Sequence, residues 1–376
     1  MAPTGTVTCP HCQLPHEAGL KACPITGLAL IDTETRLPRA RDELGLIGTV
    51  VSEKYQVQSE LGVGSMGAVY KAEHVKIGRD VALKVLGRSF AREDRIRDRF
   101  VREAQATGRV EHENVVEIWD VGATEEGLPY MVMELLDGET LAVRIDRDRR
   151  LPLGDALHVA RQLLAGLAAA HEAGVVHRDV KPENIVLTDG DHVKIVDFGF
   201  ARILDSGKMS ITQTGDLVGT PSYLPPEQSE GLRLDDRADA WAATVVLYEM
   251  VTGELPFPGH SMVEVLAAVA TSEPPTPSAE RPYLPKGLDR IVHAGLQKDR
   301  ERRARIEDLL ADVTELERTM VGAADSISAE LPPEAGPAPR PTRRSAELDK
   351  TREDHGPPAS LRGGGVEDTL DEDGVA

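Results

Sequence analysis

The chain is poor in cysteine and in aromatic residues, and it has no long apolar run. Its three cysteines all precede residue 24, and an odd number so placed disfavours a disulfide-stapled fold. Aromatic residues make up only 3 % of the chain, so aliphatic side chains and alanine must build the core. No apolar run reaches about 18 residues, which predicts no transmembrane helix.

The net charge disfavours a nucleic-acid-binding protein, and the first residues disfavour a secreted one. A formal net charge of −20 disfavours nonspecific binding to nucleic acid, because the phosphate backbone is also negative. The start of the chain lacks the basic-then-apolar order of a secretory signal. We therefore expect a cytoplasmic protein without a membrane span and without a nucleic-acid partner.

The most informative run that is present is His-Arg-Asp-Val-Lys-Pro-Glu-Asn, at residues 177–184. Asp179 can accept a hydrogen bond, and later the proton, from a substrate hydroxyl. Lys181 can reach a γ-phosphate, and Asn184 can hold a magnesium ion. Further along, Asp197 begins an Asp-Phe-Gly run and supplies a second metal ligand. The spacing of these groups suits phosphoryl transfer.

A glycine-rich run lies nearer the N-terminus. Gly62, Gly64 and Gly67 form a Gly-x-Gly-x-x-Gly motif, and Val69 continues it as a strand and not as a helix. This favours a β-hairpin flap whose backbone N–H groups close on phosphates over a dinucleotide-binding turn. For the glycines alone, a plain hairpin turn is an equally good interpretation.

A lysine lies inside the next apolar run, Asp-Val-Ala-Leu-Lys-Val-Leu at residues 80–86. The alternation predicts a strand, and Lys84 is costly to bury there unless it has a partner. The segment 91–108 is rich in Arg, Glu and Asp, which suits a mostly solvated helix.

Taken in order over residues 55–316, these motifs resemble those of the protein Ser/Thr kinases, specifically the eukaryotic-like kinases of bacteria. The Lys two residues after Asp179 is the Ser/Thr version, and the Pro-Glu-Gln at residues 226–228 points to the bacterial group. The resemblance implies an α+β bilobal fold. Its small lobe would be an antiparallel β-sheet plus one helix, and its large lobe mostly helical.

The same resemblance implies how ATP and Mg²⁺ (or Mn²⁺) are held. Lys84 would neutralise the α/β-phosphates, and a carboxylate on the next helix would orient it. Glu103 is the best candidate for that carboxylate, with Glu111 and Glu113 as weaker alternatives. Asp197 and Asn184 would hold the metal. The adenine pocket would comprise Leu61, Val69, Ala82 and Val186, the gatekeeper Met133, the Glu134 carbonyl and the Leu136 N–H.

Structural roles also follow from the resemblance. Glu227 is expected to pair with a buried arginine, for which Arg303 is the first choice and Arg302 and Arg305 are alternatives. Asp239 matches the helix residue that holds the backbone of the catalytic loop in kinases.

The resemblance also implies that phosphorylation of the activation loop activates the enzyme. Kinases with an arginine at the position of Arg178 commonly use it to grip a phosphate on the activation loop. Thr212 and Thr214 are the expected autophosphorylation sites. The alternative is that this Ser/Thr-rich loop is merely soluble and flexible.

The segments outside residues 55–317 differ in composition. Residues 1–32 hold Cys9, Cys12 and Cys23 at a spacing that resembles a degenerate zinc ribbon, with His16 or His11 as the fourth ligand. A tail with a relic motif is the alternative. Residues 33–54 are predicted to be a linker, and residues 318–376, rich in Pro, Gly and acids, are expected to be disordered.

The leading hypothesis is an ATP-dependent protein Ser/Thr kinase in intracellular signalling, acting on protein hydroxyls and activated by autophosphorylation, with a homodimer for the trans reaction. One alternative is a scaffold that uses the fold to present its N-terminal segment and tail. Intact Lys84, Asp179 and Asp197 disfavour it. A small-molecule kinase is disfavoured by residues 219–227, which fit a peptide acceptor.

Overall fold

The alternating residues of the small lobe form a six-stranded antiparallel sheet. The strands are β3 (Val50–Val51), β4 (Tyr55–Gly64), β5 (Gly67–His74), β6 (Arg79–Leu86), β7 (Ile118–Ala123) and β8 (Pro129–Glu134). Their spatial order in the sheet is β3-β4-β5-β6-β8-β7. In β5, buried positions alternate with more exposed ones, as expected for a strand with one face toward the core.

The computed structural model describes residues 6–8, 15–17, 42–64, 66–198, 221–229, 231–232 and 234–330. All but the last four of them belong to one unit, Met1–Ser326. At its N-terminal end, β1 (Thr6–Thr8) pairs antiparallel with β2 (Pro15–Glu17). Cys9, Cys12, Cys23, Thr212 and Thr214 lie outside the described residues, so the zinc and phosphorylation predictions stay predictions.

Two helices accompany the six-stranded sheet, α1 (Arg88–Ala91) and α2 (Asp94–Thr107). The buried residues of α2 are Ile96, Phe100, Ala104 and Thr107, spaced as one face of a helix requires. That face packs into the small-lobe core, while Glu103 beside it is half-buried. The exposed positions of α2 are charged or amide residues, Asp94, Arg95, Asp98, Arg102 and Gln105, as its composition predicts.

The segment before the sheet is more ordered than its composition suggests. From the sequence, residues 33–54 are predicted to be a linker, but from Asp42 onward they fold onto the small lobe. Leu44 and Leu46 are buried in its core. The Leu44 N–H donates to the Tyr70 hydroxyl at 3.2 Å, and the Leu46 N–H donates to the Asp42 carboxylate at 2.8 Å. A few apolar side chains and one capping carboxylate anchor this otherwise polar stretch.

The large lobe is mostly helical. A three-stranded antiparallel sheet, ordered β11-β10-β9, lies at its edge: β9 (Glu139–Thr140), β10 (Ile185–Thr188) and β11 (His192–Ile195). The helices are α3 (Leu141–Asp148), α4 (Leu153–Glu172), α5 (Pro226–Ser229), α6 (Arg237–Thr252), α7 (Met262–Thr271), α8 (Pro277–Glu280), α9 (Lys286–Gly295) and α10 (Ile306–Glu330).

The last helix, α10, continues to Glu330, although residues from 318 onward are predicted from composition to be a disordered tail. Alanine and acidic residues dominate its final turns, and both residue types favour or tolerate helix. Across the described residues, every helix is too short or too polar to cross a membrane.

Helix α6 is the centre of the large lobe. Nearly all of its residues are buried, which is typical of a helix that is apolar on all sides and enclosed by others. It packs against α4 and α9. Polar residues on such a helix need partners, and Asp239 on its first turn is completely buried.

Hydrogen bonds tie the segment leading to β7 to the large lobe. The Val116 N–H donates to the Ile195 carbonyl at 3.0 Å, and the Ile195 N–H donates to the Asn114 carbonyl at 2.8 Å. The side chain of Asn114, which is buried, donates to the Val193 carbonyl at 2.9 Å. These bonds position β11, and the metal loop after it, against the small lobe.

A buried ion pair between Glu227 and Arg303 connects α5 to the segment before α10. Arg303 Nη1 and Nη2 donate to the two Glu227 oxygens at 2.7 and 2.8 Å, a bidentate geometry. The side chains of Arg303 and Glu227 are 0 % and 5 % exposed. Of the three arginines considered from the sequence, Arg303 is the one in this contact, while Arg302 pairs with Asp299 near the surface.

We predict that Glu227→Ala will lower the free energy of unfolding by about 3 to 5 kcal/mol, because it leaves the Arg303 guanidinium buried without its counter-ion. Chemical denaturation measures this change. The control is Glu315→Ala, which removes an exposed ion pair with Arg318 and should cost less than about 1 kcal/mol. Equal losses in the two variants would contradict the prediction.

Candidate active site

The catalytic loop brings three predicted side chains together. Lys181 Nζ lies 2.7 Å from Asp179 Oδ2. Asn184 Nδ2 donates to the same oxygen at 3.0 Å and to the Asp179 carbonyl at 2.8 Å. A 3₁₀ turn, Pro182–Asn184, with proline at its start, folds Asn184 back toward Asp179. Asp179 is therefore oriented through one carboxylate oxygen.

His177 is a residue of the site to which the sequence assigned no role. Its ring is fully buried, and Nδ1 accepts a hydrogen bond from the Asp179 N–H at 3.1 Å. Nε2 therefore carries the hydrogen and donates to the Val196 carbonyl at 2.9 Å. The ring also packs at 4.6 Å against Phe198 of the metal loop. One imidazole thus links the catalytic loop to the metal loop.

Asp239 of α6 holds the backbone at the start of the catalytic loop. Its Oδ2 accepts from the His177 N–H at 2.8 Å, and its Oδ1 accepts from the Arg178 N–H at 2.7 Å. Arg178 has a φ of +66°, in the left-handed region, which costs a non-glycine residue of order 1–3 kcal/mol. The two hydrogen bonds stabilise this conformation.

A second histidine, His171 at the end of α4, also contacts Asp239. Its Nε2 lies 2.7 Å from Asp239 Oδ2. Burial lowers the pKa of His171, but the hydrogen bond to Asp239 and the charge of that carboxylate outweigh burial and raise the pKa above its ordinary value. The only sequence signal was a histidine six residues before His177, which carries no information without the packing of α4 on α6.

Lys84 and Asp197 meet in the cleft. Lys84 Nζ lies 2.6 Å from Asp197 Oδ1, and Lys84 is 8 % exposed. Asp197 also adopts a positive φ, +65°. Glu103, the carboxylate proposed to orient the lysine, is on the inner side of α2 and half-buried. The buried lysine thus has the charged partner that its place in an apolar strand requires.

The two predicted metal ligands offer the right donor chemistry. The amide nitrogen of Asn184 is turned toward Asp179, which leaves the amide oxygen of Asn184 as an acceptor. Asp197 uses Oδ1 for Lys84 and retains Oδ2. The Val196 N–H donates to the Asn184 carbonyl at 3.0 Å, so the two ligand-bearing loops are bonded to each other. A carboxylate and a carboxamide oxygen fit a magnesium ion.

The expected adenine contacts lie on facing elements. Val69, Ala82 and Met133 share one small apolar cluster, in which Ala82 of β6 is the register partner of Met133 of β8. Val186 of β10 is half-buried, and Leu61 is exposed. Buried and half-buried apolar residues on β5, β6 and β8 thus form one wall of the cleft.

The sequence did not anticipate the use of the Glu134 side chain. Its Oε1 lies 2.7 Å from Lys194 Nζ and accepts from the Glu117 N–H at 2.9 Å. The Glu134 N–H donates to the Glu117 carbonyl at 3.1 Å. The carbonyl of Glu134, the group predicted to face adenine, is not used in these bonds. Leu136, two residues later, is half-buried.

The three glycines of the flap differ in what they accommodate. A Cβ on Gly67 would lie 2.1 Å from the Val85 carbonyl oxygen and 2.9 Å from the Gly87 nitrogen. A Cβ on Gly62 would have no neighbour within 4 Å, and one on Gly64 only the Gly67 oxygen at 3.8 Å. Gly67 is therefore required by the protein itself, whereas Gly62 and Gly64 keep space open beside the cleft.

The fold and this cleft define a two-lobed phosphotransferase of the kinase type. The protein kinase domain family matches residues 55–313, and the chain belongs to that family. The α+β bilobal fold expected from the sequence is confirmed by the kinase domain of PknI from Mycobacterium tuberculosis. The two align with a TM-score of 0.56 and 29 % identity over 71 % of this chain and 97 % of that one.

Curated relatives are bacterial, as the sequence predicts. Serine/threonine-protein kinase pkn3 of Myxococcus xanthus is 35 % identical over 83 % of this chain and 59 % of its own length. PknB of Mycobacterium tuberculosis is 40 % identical over 67 % of this chain and 41 % of its own length. PrkC of Bacillus subtilis is 37 % identical over 71 % of this chain and 41 % of its own length. The chain thus matches between about two fifths and three fifths of these proteins.

We predict that Gly67→Ala will lower the free energy of unfolding by roughly 2 kcal/mol or more, because its Cβ meets backbone that cannot move aside cheaply. Chemical denaturation measures this change. The matched control is Gly64→Ala, which has open space and should stay within about 0.5 kcal/mol of the parent. A Gly67 variant as stable as the Gly64 variant would refute this steric requirement.

Proposed function

We propose that this protein is an ATP-dependent Ser/Thr protein kinase that transfers the γ-phosphoryl group of ATP to hydroxyls of protein substrates. The observation that carries the proposal is the convergence of four side chains in one cleft, on a strand and two loops that are bonded to each other: Lys84, Asp179, Asn184 and Asp197. Membership of the protein kinase family supports it. We place this activity in the cytoplasm.

Phosphoryl transfer asks a protein mainly to position reactants and to neutralise charge. Asp179 is held through Oδ2 by Lys181 and Asn184, which leaves Oδ1 to accept the proton of the substrate hydroxyl. Lys181 places a positive charge next to that carboxylate, where the γ-phosphate would arrive. Magnesium, when bound by Asn184 and Asp197, supplies the charge that neutralises phosphate oxygens.

The nucleotide would be enclosed by the flap and the apolar wall. Lys84 provides an ammonium group for the α/β-phosphates, and Glu103 on α2 would orient it in the active arrangement. Gly62 and Gly64 leave the flap backbone free of side chains. Val69, Ala82 and Met133 would contact adenine together with Leu61 and Val186, and the backbone of Glu134 and Leu136 would bind its edge.

Activation is proposed to use the loop that contains Thr212 and Thr214. A phosphate there would pair with the Arg178 guanidinium, whose backbone Asp239 holds in place. A homodimer would carry out this reaction in trans, so its initial rate should rise with the square of protein concentration while the monomer predominates. The scaffold alternative finds no support, because the catalytic side chains are assembled and the curated relatives are kinases.

Autophosphorylation with labelled ATP and Mg²⁺ tests the function. We predict that Lys84→Met, Asp179→Asn and Asp197→Asn will each lower the rate by at least about 10³-fold, because each removes a charge or proton acceptor at the reacting phosphate. Each variant should remain folded, which a cooperative thermal unfolding transition would show.

Phosphosite mapping of the parent should find Thr212, Thr214 or both, and Glu315→Ala serves as an active surface control. Full activity in the three catalytic variants would overturn the proposed mechanism. Robust labelling confined to other sites would overturn the proposed activation, and labelling of small molecules alone would favour the small-molecule kinase.

We also propose that the N-terminal segment binds Zn²⁺. Strands β1 and β2 pair antiparallel on either side of residues 9–14, which include Cys9 and Cys12. A hairpin with two cysteines in its connection suits one half of a tetrahedral site, and Cys23 would be the third ligand. The fourth ligand is His16, on β2, or His11.

Elemental analysis of the full chain should find one zinc per molecule. The double variant Cys9→Ser/Cys12→Ser should lose it, because two of four ligands are gone. The matched variant His293→Gln alters an exposed histidine of the kinase domain and should keep the metal. Zinc that is absent from the parent, or that survives in the double cysteine variant, would contradict the proposal.

A further inference from the structure

The contact between His171 and Asp239 joins the two central helices of the large lobe directly beneath the catalytic loop. His171 lies in the last turn of α4, and Asp239 in the first turn of α6. The side chains of His171 and Asp239 are 7 % and 0 % exposed. Neither touches the groups proposed to bind ATP or metal, so the mechanism described above leaves the imidazole unused.

A carboxylate as deeply buried as Asp239 needs more than neutral hydrogen-bond donors. The N–H groups of His177 and Arg178 satisfy lone pairs, but they bring no positive charge to balance the anion. The third donor, His171 Nε2 at 2.7 Å, can supply that charge when the ring is protonated. A charge-assisted hydrogen bond is also shorter and stronger than a neutral one.

The electrostatic surroundings of the ring favour a proton on it. Three acids favour the charged form of His171: Asp239 on α6, Asp236 immediately before that helix, and Glu307 on α10. Burial opposes protonation, yet the net effect raises the pKa of His171 above its ordinary value. Geometry and charge thus point to the same protonation state.

We propose that His171 is a positioning residue that carries a proton and, as the counter-ion of Asp239, holds the backbone of His177 and Arg178 so that Asp179 faces the substrate hydroxyl. The proposal rests on the kinase function proposed above. Its physical basis is that Arg178 has a left-handed φ, a conformation that persists only while its N–H is firmly bound.

The proposal gives the turnover rate a specific pH dependence. Below the pKa of His171 the imidazolium is present and the loop is held. As the pH rises through that raised pKa the proton is lost, the charge of Asp239 is no longer balanced, and kcat should fall. The KM for ATP should change little, because His171 lies beneath the catalytic loop and not in the nucleotide cleft.

The test compares three variants of the full chain in steady-state assays with a Ser/Thr peptide from pH 6 to 9. His171→Gln keeps a hydrogen-bond donor but cannot carry the charge. We expect its kcat at neutral pH to be about tenfold lower than that of the parent, with its KM for ATP within about twofold and the His171-dependent alkaline fall absent. His171→Leu removes the donor as well and should lose about 100-fold.

The matched control is His158→Gln. His158 is also on α4, but it precedes His171 by 13 residues and lies near Glu317 at the surface. It should retain the parent kcat and pH profile. A His171→Gln enzyme with the kcat and pH profile of the parent would overturn the proposal.

A second measurement needs neither catalysis nor a stable leucine variant. Isotope-detected NMR of the folded parent, with the His171 ring resonances assigned by their loss in His171→Gln, should show a protonated imidazole at pH 7. A neutral ring at pH 7 would overturn the proposal. If the parent transferred no phosphate at all, the kinase function would fail, while the NMR titration would still decide the protonation state of His171.

Discussion

The arrangement of the catalytic loop depends on one buried carboxylate. Asp239 lies on the first turn of α6, a helix enclosed by the rest of the large lobe, so its position is set by packing and not by the loop it supports. From there it binds two consecutive backbone N–H groups and so stabilises the strained turn at Arg178. The catalytic loop is thus held from a rigid element.

Further hydrogen bonds, made by backbone groups and by the His177 imidazole, connect the catalytic loop to the metal loop. His177 uses both ring nitrogens, one toward the Asp179 N–H and one toward the Val196 carbonyl, and so relates the catalytic loop to the metal loop. Asn184 is bonded to the same two segments through its side chain and its carbonyl. The groups proposed to hold phosphate, metal and proton are therefore positioned by one connected network around α6.

Much of this site could be predicted from residue order, because phosphoryl transfer needs particular chemical groups at short spacing. Six consecutive positions contain Asp179, Lys181 and Asn184, and the structure brings their side chains into contact. Contacts between residues that are far apart in the sequence were harder to predict. His171 and Tyr70 have roles that depend on which helix or strand lies opposite. The segment 42–54 is ordered because Leu44, Leu46 and Val51 pack into the core of the small lobe.

The sequence by itself determined the class of fold, the order of the motifs and the groups that can bind a nucleotide and a metal. Those properties follow from residue type and local spacing. Only the tertiary structure decided which arginine neutralises Glu227, which carboxylate contacts Lys84, and which histidine lies against Asp239. The reason is physical: a buried charge takes its partner from whatever the packed core places within hydrogen-bond distance, and that distance is not encoded in any single segment.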